Sequence, residues 1–476
     1  MVIKIYCMNY EFFALLQQEL SIVLIIVLLL FIKLGPERTS ERILGTVNLL
    51  LLVNCIAGFF MQAEGSLFGQ MFYTDRLVIF EKNILNVATL IVSLQAYNWL
   101  KGHAHALEFY MLLLSTLLGM FFMISANNLL IFYLGLELST IPLAAIANFD
   151  LGKRQSSEAA FKFIISAAFS SGLLLMGISL LYGTTGSLDF EGIRLGLDRS
   201  TLQLFAFILI LSGFFFKIST VPFHLWTADV YEGSPVPVTS YLSVVSKGAI
   251  YFVFLYVLYK VFGRLEYIFH PILELLAILS MVVGNLFALR QQNLKRFLAF
   301  SSIAQGGFIL VGLTGSYDVF STSVIYFILV YVFSNLGAFG VVALISAQTG
   351  KETIDDYKGL YSTNPMLAWI LAISLFSLAG IPPTAGFFGK FFLLMAGAKA
   401  GMYALVIIAA LNMVIALYYY LRVVKAIFMD ANAQAIEKLP VPMQPRLALL
   451  LCGAGIIVTG FVGWIYDYIY LLSIDL

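Results

Sequence analysis

A few ionisable side chains stand within long apolar stretches of this sequence, where charged residues are rare. They are five lysines and one glutamate, Lys82, Lys162, Lys217, Lys247, Lys390 and Glu137. A charge at the centre of a membrane costs at least about 2.5–3.5 kcal/mol. Burial favours the neutral form of both residue types, whereas an opposite charge at about 4 Å favours the charged form by about 4 kcal/mol. Because the two effects are similar in size, small changes in geometry can move a proton, and these residues predict a proton relay.

Two of the lysines have acidic neighbours that offer a simpler explanation. Lys82 follows Glu81 near the start of an apolar stretch, which favours a side chain that reaches the membrane interface over a transport role. Lys162 follows Glu158 by four residues, a spacing that suits an ordinary ion pair on one helix face. For Lys162 the structural and the transport roles are weighted equally.

The other four charged residues have no opposite charge nearby in their own apolar stretch. Lys217, Lys247 and Lys390 lack an acidic neighbour there, and Glu137, in IFYLGLELSTIPLAAI, lacks a basic one. Intramembrane ionisable residues of this kind usually face a partner or a water-filled cavity and mark ion pathways. A transport role is therefore favoured for all four.

Two helices are predicted to be interrupted close to these lysines. Pro222 follows Lys217 by five residues in FFFKISTVPFHLW, and Gly380 and Pro382 precede Lys390 in SLAGIPPTAGFFGKF. Proline removes a backbone donor and frees carbonyls, which survive in a membrane only against protein or a water-filled cavity. Broken spans in corresponding positions of two halves indicate a transporter site and an inverted repeat. The lysine precedes one break and follows the other, so the two halves are not simple copies.

Further polar residues near the breaks are candidates for connecting these sites. His224 follows Pro222 by two residues and is a second candidate for proton exchange near neutral pH, equally explained as an interfacial histidine. Small polar groups that could hold water, or simply join helices, are Ser212, Ser219, Thr220, Ser243, Ser246, Ser301, Ser302 and Gln305. The tract Tyr418 to Tyr420 is predicted to mark an interfacial aromatic belt without chemistry.

The composition places these residues in an integral membrane protein. Of 476 residues, 61% are hydrophobic and 11% charged, and the mean hydropathy is +0.96. A soluble domain carries about 25% charged residues, so a soluble enzyme, a disordered linker and a nucleic-acid binder are excluded as main interpretations. A net charge of +1 also argues against binding polyanions. Cys7, Cys55 and Cys452 lack metal-site spacing, and neither GxGxxG nor GxxxxGK[ST] occurs.

The apolar stretches predict an all-α polytopic membrane protein with about fourteen transmembrane helices. The breaks in the seventh and twelfth spans predict two inverted five-helix repeats, each with one broken helix. The predicted units are residues 1–105 (three N-terminal spans), 106–262 and 263–430 (the repeats) and 431–476 (the last span). Odd-numbered loops hold about twice as many Lys and Arg residues as the even ones, so both termini are predicted on the periplasmic side.

Several stretches resemble a known family over essentially the whole chain. The segment HLWTADVYEGSPVPVTSYLSVVSKGA, residues 224–249, is the most specific, and NLKRFLAFSSIAQGGF, DDYKGL and AGIPPTAGFFGKF follow in order. They resemble the antiporter-like membrane subunits of respiratory complex I, NADH-quinone oxidoreductase, in their N-type branch. The L- and M-type branches and the multisubunit sodium/proton antiporters tend to differ in the first segment. Many relatives have histidine where Gln305 stands, so any role of this position must rest on hydrogen bonding or water placement.

The resemblance implies a role for each charged residue. Glu137 would modulate Lys217, Lys247 would be the central connecting site and Lys390 the terminal site, with Lys162 near the Glu137–Lys217 pair. Protons would cross by this relay, coupled to quinone reduction by other subunits. The chain itself would hold no cofactor, and FMN, iron–sulfur clusters and quinone would belong to partner subunits.

The same resemblance implies a setting for the chain. Its partners would be the M-, L-, K-, J-, A- and H-type membrane-arm subunits and, through them, a peripheral redox arm, in the lipid bilayer of a bacterial inner membrane and without nucleic acid. Two alternatives remain from the residues: a stand-alone or multisubunit cation/proton antiporter component, and a passive helical scaffold. Sodium- or potassium-dependent proton exchange without a redox arm would indicate the former, and silent lysine substitutions the latter.

Overall fold

The computed structural model describes residues 11–36, 39–315, 317–432 and 434–474. Cys7 and the basic residues Lys4 and Arg38 lie outside these ranges. Within them the chain is almost entirely helical, apart from a small antiparallel hairpin of β1 (Gly65–Leu67) and β2 (Phe72–Thr74). Thirteen helices of the described residues are long and apolar enough to cross a membrane.

With a broken helix at the twelfth position, the described residues contain fourteen spans. The first six are Gln17–Leu34, Ser40–Gly58, Arg76–Gln95, Ala106–Ile124, Leu129–Ala147 and Arg154–Thr185. The next five are Thr201–Ile218, Val236–Val261, Gly263–Arg290, Leu294–Gly312 and Tyr317–Thr349. The last three are Pro365–Ala379 with Ala385–Lys399, then Tyr403–Phe428 and Met443–Phe461. Trp464–Ile474 forms a final short helix. The predicted all-α class is confirmed.

The short elements lie between the spans. They are the helices Tyr97–Leu100, Phe190–Gly196, Leu225–Gly233 and Leu360–Thr363 and the 3-10 turn Ile354–Tyr357. A second 3-10 turn, Gly263–Leu265, forms the start of the ninth span. Leu225–Gly233 continues the seventh span after its break. Spans eight, ten and eleven are almost wholly buried, whereas spans one and thirteen expose large apolar side chains such as Leu24 and Val414. The exposed apolar faces match lipid, and the site must be sought around the three inner spans.

Both predicted breaks are present in the described chain, and they are built alike. The first helical half ends in a left-handed residue, Ser219 in the seventh span and Gly380 in the twelfth. In each, the amide of the following residue donates at 3.0 Å to the carbonyl of a phenylalanine, Phe215 or Phe376. A cis X–Pro bond follows in both, Val221–Pro222 and Pro382–Pro383.

Candidate functional site

Glu137 and Lys217 lie on adjacent helices of the first repeat. Asn128 caps the fifth span by accepting a hydrogen bond from Leu130 N at 2.8 Å, and Glu137 follows in the middle of that helix. Lys217 ends the first half of the seventh span and donates a hydrogen bond to the Thr140 hydroxyl, one turn beyond Glu137. Glu137 and Lys217 interact electrostatically but form no ion pair within 4.0 Å among the described residues. Thr140, a residue that sequence reasoning missed, therefore binds the lysine where the carboxylate does not.

Lys247 lies in the eighth span, which is almost wholly buried. Its side chain is 4% exposed, donates to Ser302 Oγ at 3.0 Å and has its Nζ 5.5 Å from the centre of the Tyr231 ring. A π-helical turn, Leu242–Ser246, directly precedes Lys247. Such turns often occur at functional sites, because one extra residue per turn re-aims the side chains that follow.

Lys390 lies against the break of the twelfth span. It is 1% exposed and donates to the carbonyls of Leu378 and Ala379 at 2.7 and 3.3 Å. Its Nζ also lies 4.6 Å from the centre of the Phe308 ring. The helix stops at Gly380, so these carbonyls have lost the amide partners that a continuous helix supplies. The lysine replaces those donors.

Gln305 joins the Lys390 site to the tenth span. Its side-chain nitrogen donates to the Leu378 carbonyl at 2.8 Å and to the Tyr420 hydroxyl at 3.1 Å. Tyr420 also shares a hydrogen bond of 2.5 Å with Ser301. Since Ser302 and Gln305 are one turn apart, the tenth span carries hydrogen-bonding groups from Lys247 towards Lys390.

The prediction of an interfacial belt at Tyr418–Tyr420 is wrong for two of the three residues. Tyr419 and Tyr420 are fully buried, and only Tyr418 is exposed. Tyr419 donates to Asn285 Oδ1 at 2.9 Å. Successive residues on a helix point in different directions, so a tyrosine triplet cannot lie on one face.

Lys82 does not reach the interface as predicted. It is 1% exposed and pairs at 2.5 Å with Glu19, which is 2% exposed. The partner comes from the first span and not from the adjacent Glu81. A buried acid on a distant helix thus compensates the charge, which no local spacing could predict.

Lys162 forms the predicted pair with Glu158, at 2.8 Å, and a second one with Asp229, at 2.6 Å. It is 40% exposed. Its charged partners are therefore not Glu137, the acid near which the resemblance places it. Asp229, missed by the sequence reasoning, also binds Arg296 of the tenth span at 2.9 Å.

His224 immediately precedes the second half of the seventh span and is half-buried. Its Nδ1 is a buried nitrogen without a hydrogen-bond partner among the described residues. Other buried polar atoms in the same condition are Glu137 Oε1, Ser219 Oγ, Tyr231 Oη, Tyr251 Oη and Gln305 Oε1. In the described ranges no three His, Cys, Asp or Glu side chains are close enough to hold a metal ion.

The two predicted repeats place different side chains at matching positions. Asn128 and Asn293 cap the fifth and tenth spans in the same way, and Glu137 and Ser302 each follow their cap by nine residues. Counted in the same way, Thr140 matches Gln305. At the breaks, Lys217 and Leu378 each precede the left-handed residue by two, whereas Asp229 and Lys390 each follow it by ten.

Comparison with known proteins agrees with this architecture. Residues 126–416 match the family model described as NADH:quinone oxidoreductase/Mrp antiporter, TM. NADH-quinone oxidoreductase subunit N of Azobacteroides pseudotrichonymphae genomovar. CFP2 is 45% identical over 98% of this chain and 99% of its own length. The subunit N of Phocaeicola vulgatus is also 45% identical, over 95% of this chain and 97% of its own.

Solved structures extend the comparison to the fold. A chain of respiratory complex I from Thermus thermophilus with bound Aureothin aligns with a TM-score of 0.81 at 29% identity, covering 94% of this chain and 98% of that one. A chain of the Mrp complex from Dietzia sp. DQ12-45-1b aligns with a TM-score of 0.86 at 20% identity, covering 98% and 97%, and shows the shared fold alone. The chain is an integral membrane protein that belongs to the subunit N family of NADH-quinone oxidoreductase, an oxidoreductase and translocase complex.

Proposed function

We propose that this chain translocates protons within complex I through Glu137, Lys217, Lys247 and Lys390, coupled to quinone reduction by partner subunits. The observation that carries the proposal is the buried connection between two lysines. Lys247 binds Ser302, and Gln305, one turn further along the same helix, shares the Leu378 carbonyl with Lys390. Two lysines without an acidic neighbour at hydrogen-bonding distance are poised to exchange protons with water or with each other.

Lys217 and Lys247 do not contact each other directly in the described chain, but polar groups lie between the two sites. Tyr251, one turn after Lys247, has a hydroxyl without a partner in the described chain. A side-chain carbon at Gly306 would lie 2.7 Å from that hydroxyl and 3.7 Å from the Ile218 carbonyl, next to Lys217. Gly306 therefore lets the tenth span approach the Tyr251 hydroxyl closely, and a small cavity lined by Lys247, Tyr251 and Gly306 adjoins it. Buried polar groups without protein partners are usually satisfied by ordered water, so this space suits a water-mediated proton step.

Only a small free-energy change is needed at each site to move a proton. Moving one proton against about 100 mV costs roughly 2.3 kcal/mol, which is less than the interaction of one close buried pair. A change in the position of Glu137 relative to Lys217 is therefore sufficient to bias the lysine between its charged and neutral forms. In this proposal the redox reaction in partner subunits drives that change.

The redox groups and the neighbours follow from the same proposal. FMN, iron–sulfur clusters and quinone would be held by partner subunits, and M-, L-, K-, J-, A- and H-type chains would complete the membrane arm. The complex would lie in a bacterial inner membrane with both termini of this chain periplasmic. Units 1–105, 106–262, 263–430 and 431–476 would act as N-terminal helices, two repeats and a closing helix, with Lys162 and His224 on a secondary path.

The test uses three single variants in the assembled complex, Lys217→Ala, Lys247→Ala and Glu137→Ala. Each is expected to lower NADH-driven proton pumping in membrane vesicles and coupled quinone reduction several-fold, while native gels show intact complex. Lys399→Ala, which removes an exposed lysine at the end of the twelfth span, is the matched control and should pump normally. Wild-type pumping by all three variants would overturn the relay. Cation-dependent proton exchange by the purified chain without a redox arm would favour an antiporter component instead.

A further inference from the structure

A second set of buried polar side chains crosses the protein outside the relay proposed above. It follows the third span, where four residues lie on one face at spacings of four, three and four: Lys82, Asn86, Thr89 and Ser93. All four are at most 3% exposed. This polar file, as we call these four residues with their partners, lies outside residues 126–416, which the family model matches.

The file begins at a cluster of ionisable groups near the start of the third span. Lys82 pairs with Glu19 at 2.5 Å, and Glu81, 6% exposed, has no ion pair or hydrogen bond to any described residue. Asp75, the cap of the same helix, interacts electrostatically with both Lys82 and Glu81. A cavity lined by Tyr73, Asp75 and Glu81 adjoins them.

The charges of this cluster do not balance. Three carboxyl groups surround one lysine, so full ionisation would leave two uncompensated negative charges at buried or half-buried positions. Burial of interacting like charges favours neutralisation of part of the excess by a proton or a cation. Since no three acidic side chains of the described chain are arranged for a metal ion, a proton is the favoured occupant.

Hydrogen-bonding groups continue from the cluster to the other end of the third span. Asn86 accepts from Asn54 at 3.1 Å, and Ser93 donates to Asn48 at 2.5 Å. Asn48 in turn donates at 2.7 Å to Gln444, a half-buried residue at the start of the fourteenth span. The third span has 20 residues and is about 30 Å long, so the file extends across a membrane.

The gaps in the file match the size of water. Residues four apart on a helix are separated by about 6 Å along its axis, and residues three apart by about 4.5 Å. One water with two hydrogen bonds of about 2.8 Å spans such a gap. Glu19 Oε2 and Gln18 Oε1 are buried and without partners in the described chain, as expected where water binds.

We propose that the Glu19–Lys82–Glu81 cluster and the polar file form a second proton path of this subunit. Protons exchange at the carboxyl cluster and cross by Thr89, Ser93 and bound water to the Asn48–Gln444 end. The proposal goes beyond the relay of Glu137, Lys217, Lys247 and Lys390, although it rests on the complex being a proton pump. The simpler role, polar contacts that hold the first three spans together, requires no proton movement.

The test measures protons pumped per NADH oxidised by the whole complex in proteoliposomes. Glu19→Gln/Lys82→Met removes both charges together, because a buried pair replaced as a unit leaves no stranded charge. Asn86→Leu and Thr89→Val interrupt the file without touching the charges. Asn412→Leu is the matched control, since Asn412 accepts a hydrogen bond from Asn285 in an equally buried amide pair elsewhere. We expect the first three variants to lose pumped protons per NADH and the control to keep the wild-type ratio.

The outcomes separate the two proposals. A wild-type ratio in assembled Asn86→Leu and Thr89→Val complexes overturns the second path, even if the double variant fails to assemble. Lys217→Ala is measured in parallel, because a wild-type ratio of protons pumped per NADH in that variant would overturn the main relay instead. Glu81→Gln gives a second readout: it should remove the infrared carbonyl band of a protonated carboxylic acid, and an unchanged spectrum contradicts a proton held there.

Discussion

In the proposed relay, Lys390 combines a structural and a chemical role in one side chain. Its ammonium group donates to the Leu378 and Ala379 carbonyls at the break, and Gln305 donates to the first of them. A lysine that releases its proton there keeps two hydrogens and can still donate to both carbonyls. Proton release at this position is thus compatible with the broken helix remaining intact.

Replacing this lysine is therefore expected to cost stability as well as activity. Lys390→Met leaves the Ala379 carbonyl without its donor, and a buried unsatisfied polar group costs about 1–3 kcal/mol. Lys247→Met loses one bond to Ser302, whose hydroxyl also donates to the Ala299 carbonyl and so stays satisfied. Thermal unfolding of the purified complex should show a lower melting temperature for Lys390→Met than for Lys247→Met. Equal melting temperatures would contradict the role at the break.

Substitutions of Gln305 test whether hydrogen bonding alone connects Lys247 and Lys390. Gln305→Leu removes both of its donated bonds and should slow coupled turnover several-fold. Gln305→His should retain more activity, because an imidazole N–H can still donate to the Leu378 carbonyl. Coupled NADH oxidation in membranes, normalised to assembled complex, measures the difference. Wild-type turnover in Gln305→Leu would remove this residue from the path.

The sequence could identify single residues whose burial is costly, but not their partners. Lys217, Lys247, Lys390 and Glu137 stand out because a charge in an apolar run has few explanations. Glu19, which pairs with Lys82 from 63 positions away, gave no such signal, since it lies near the start of its span. Pairing between residues on distant helices depends on how those helices pack. That packing cannot be predicted from the spacing of residues in a single sequence.

At the scale of elements, close helix packing places Glu137. Spans four and five cross where a side-chain carbon at Gly135 would lie 2.7 Å from the Met123 amide nitrogen. Gly119, opposite, is equally crowded, 2.4 Å from the Ser139 amide nitrogen. Small residues allow such backbone contact in membrane proteins. Gly135 precedes Glu137 by two residues, so this crossing fixes the depth of the carboxylate.

Gly135→Ala should consequently displace the fifth span. Overpacking of this kind costs about 1–3 kcal/mol. We expect less assembled complex on native gels and lower pumping in what remains. Gly172→Ala is the control, because a carbon added there meets nothing within 4 Å. Normal assembly and pumping of Gly135→Ala would show that the crossing does not position the site.

The spans and their breaks could be predicted from composition and proline, whereas the π-helical turn before Lys247 could not. The sequence LSVVS of residues 242–246 predicts an ordinary α-helix, and it contains no proline that would indicate a π-helical turn. Four of its five residues are buried, so the turn lies in the packed interior and not at a surface bend. Without the extra residue of this turn, Lys247 would point about 100° away from its present direction, because one residue turns a helix by that angle.

At the scale of the whole molecule, a charged contact ties the two predicted repeats together. Arg296 of the tenth span binds Asp229 at 2.9 Å and Glu232 at 2.8 Å, both in the second half of the seventh span. Lys162 binds the same Asp229 from the sixth span. All these groups are about one third exposed, so screening by solvent keeps the stability contribution of each pair near 0–1 kcal/mol. Their importance is then geometric: they hold one broken helix against the other half.

Arg296→Gln tests this link. The variant should assemble normally, because partly exposed pairs contribute little stability. It should nevertheless lose part of its coupled activity, because the second half of the seventh span is freed from the second predicted repeat. Arg296→Lys keeps the charge and should lie between the variant and the wild type. Coupled and uncoupled NADH oxidation are compared in the same vesicles, with Lys358→Gln, which breaks an exposed loop pair with Asp355, as control. If Arg296→Gln pumps like this control, the two halves do not communicate through Asp229, and the buried contacts of Gln305 become the next candidates for the coupling.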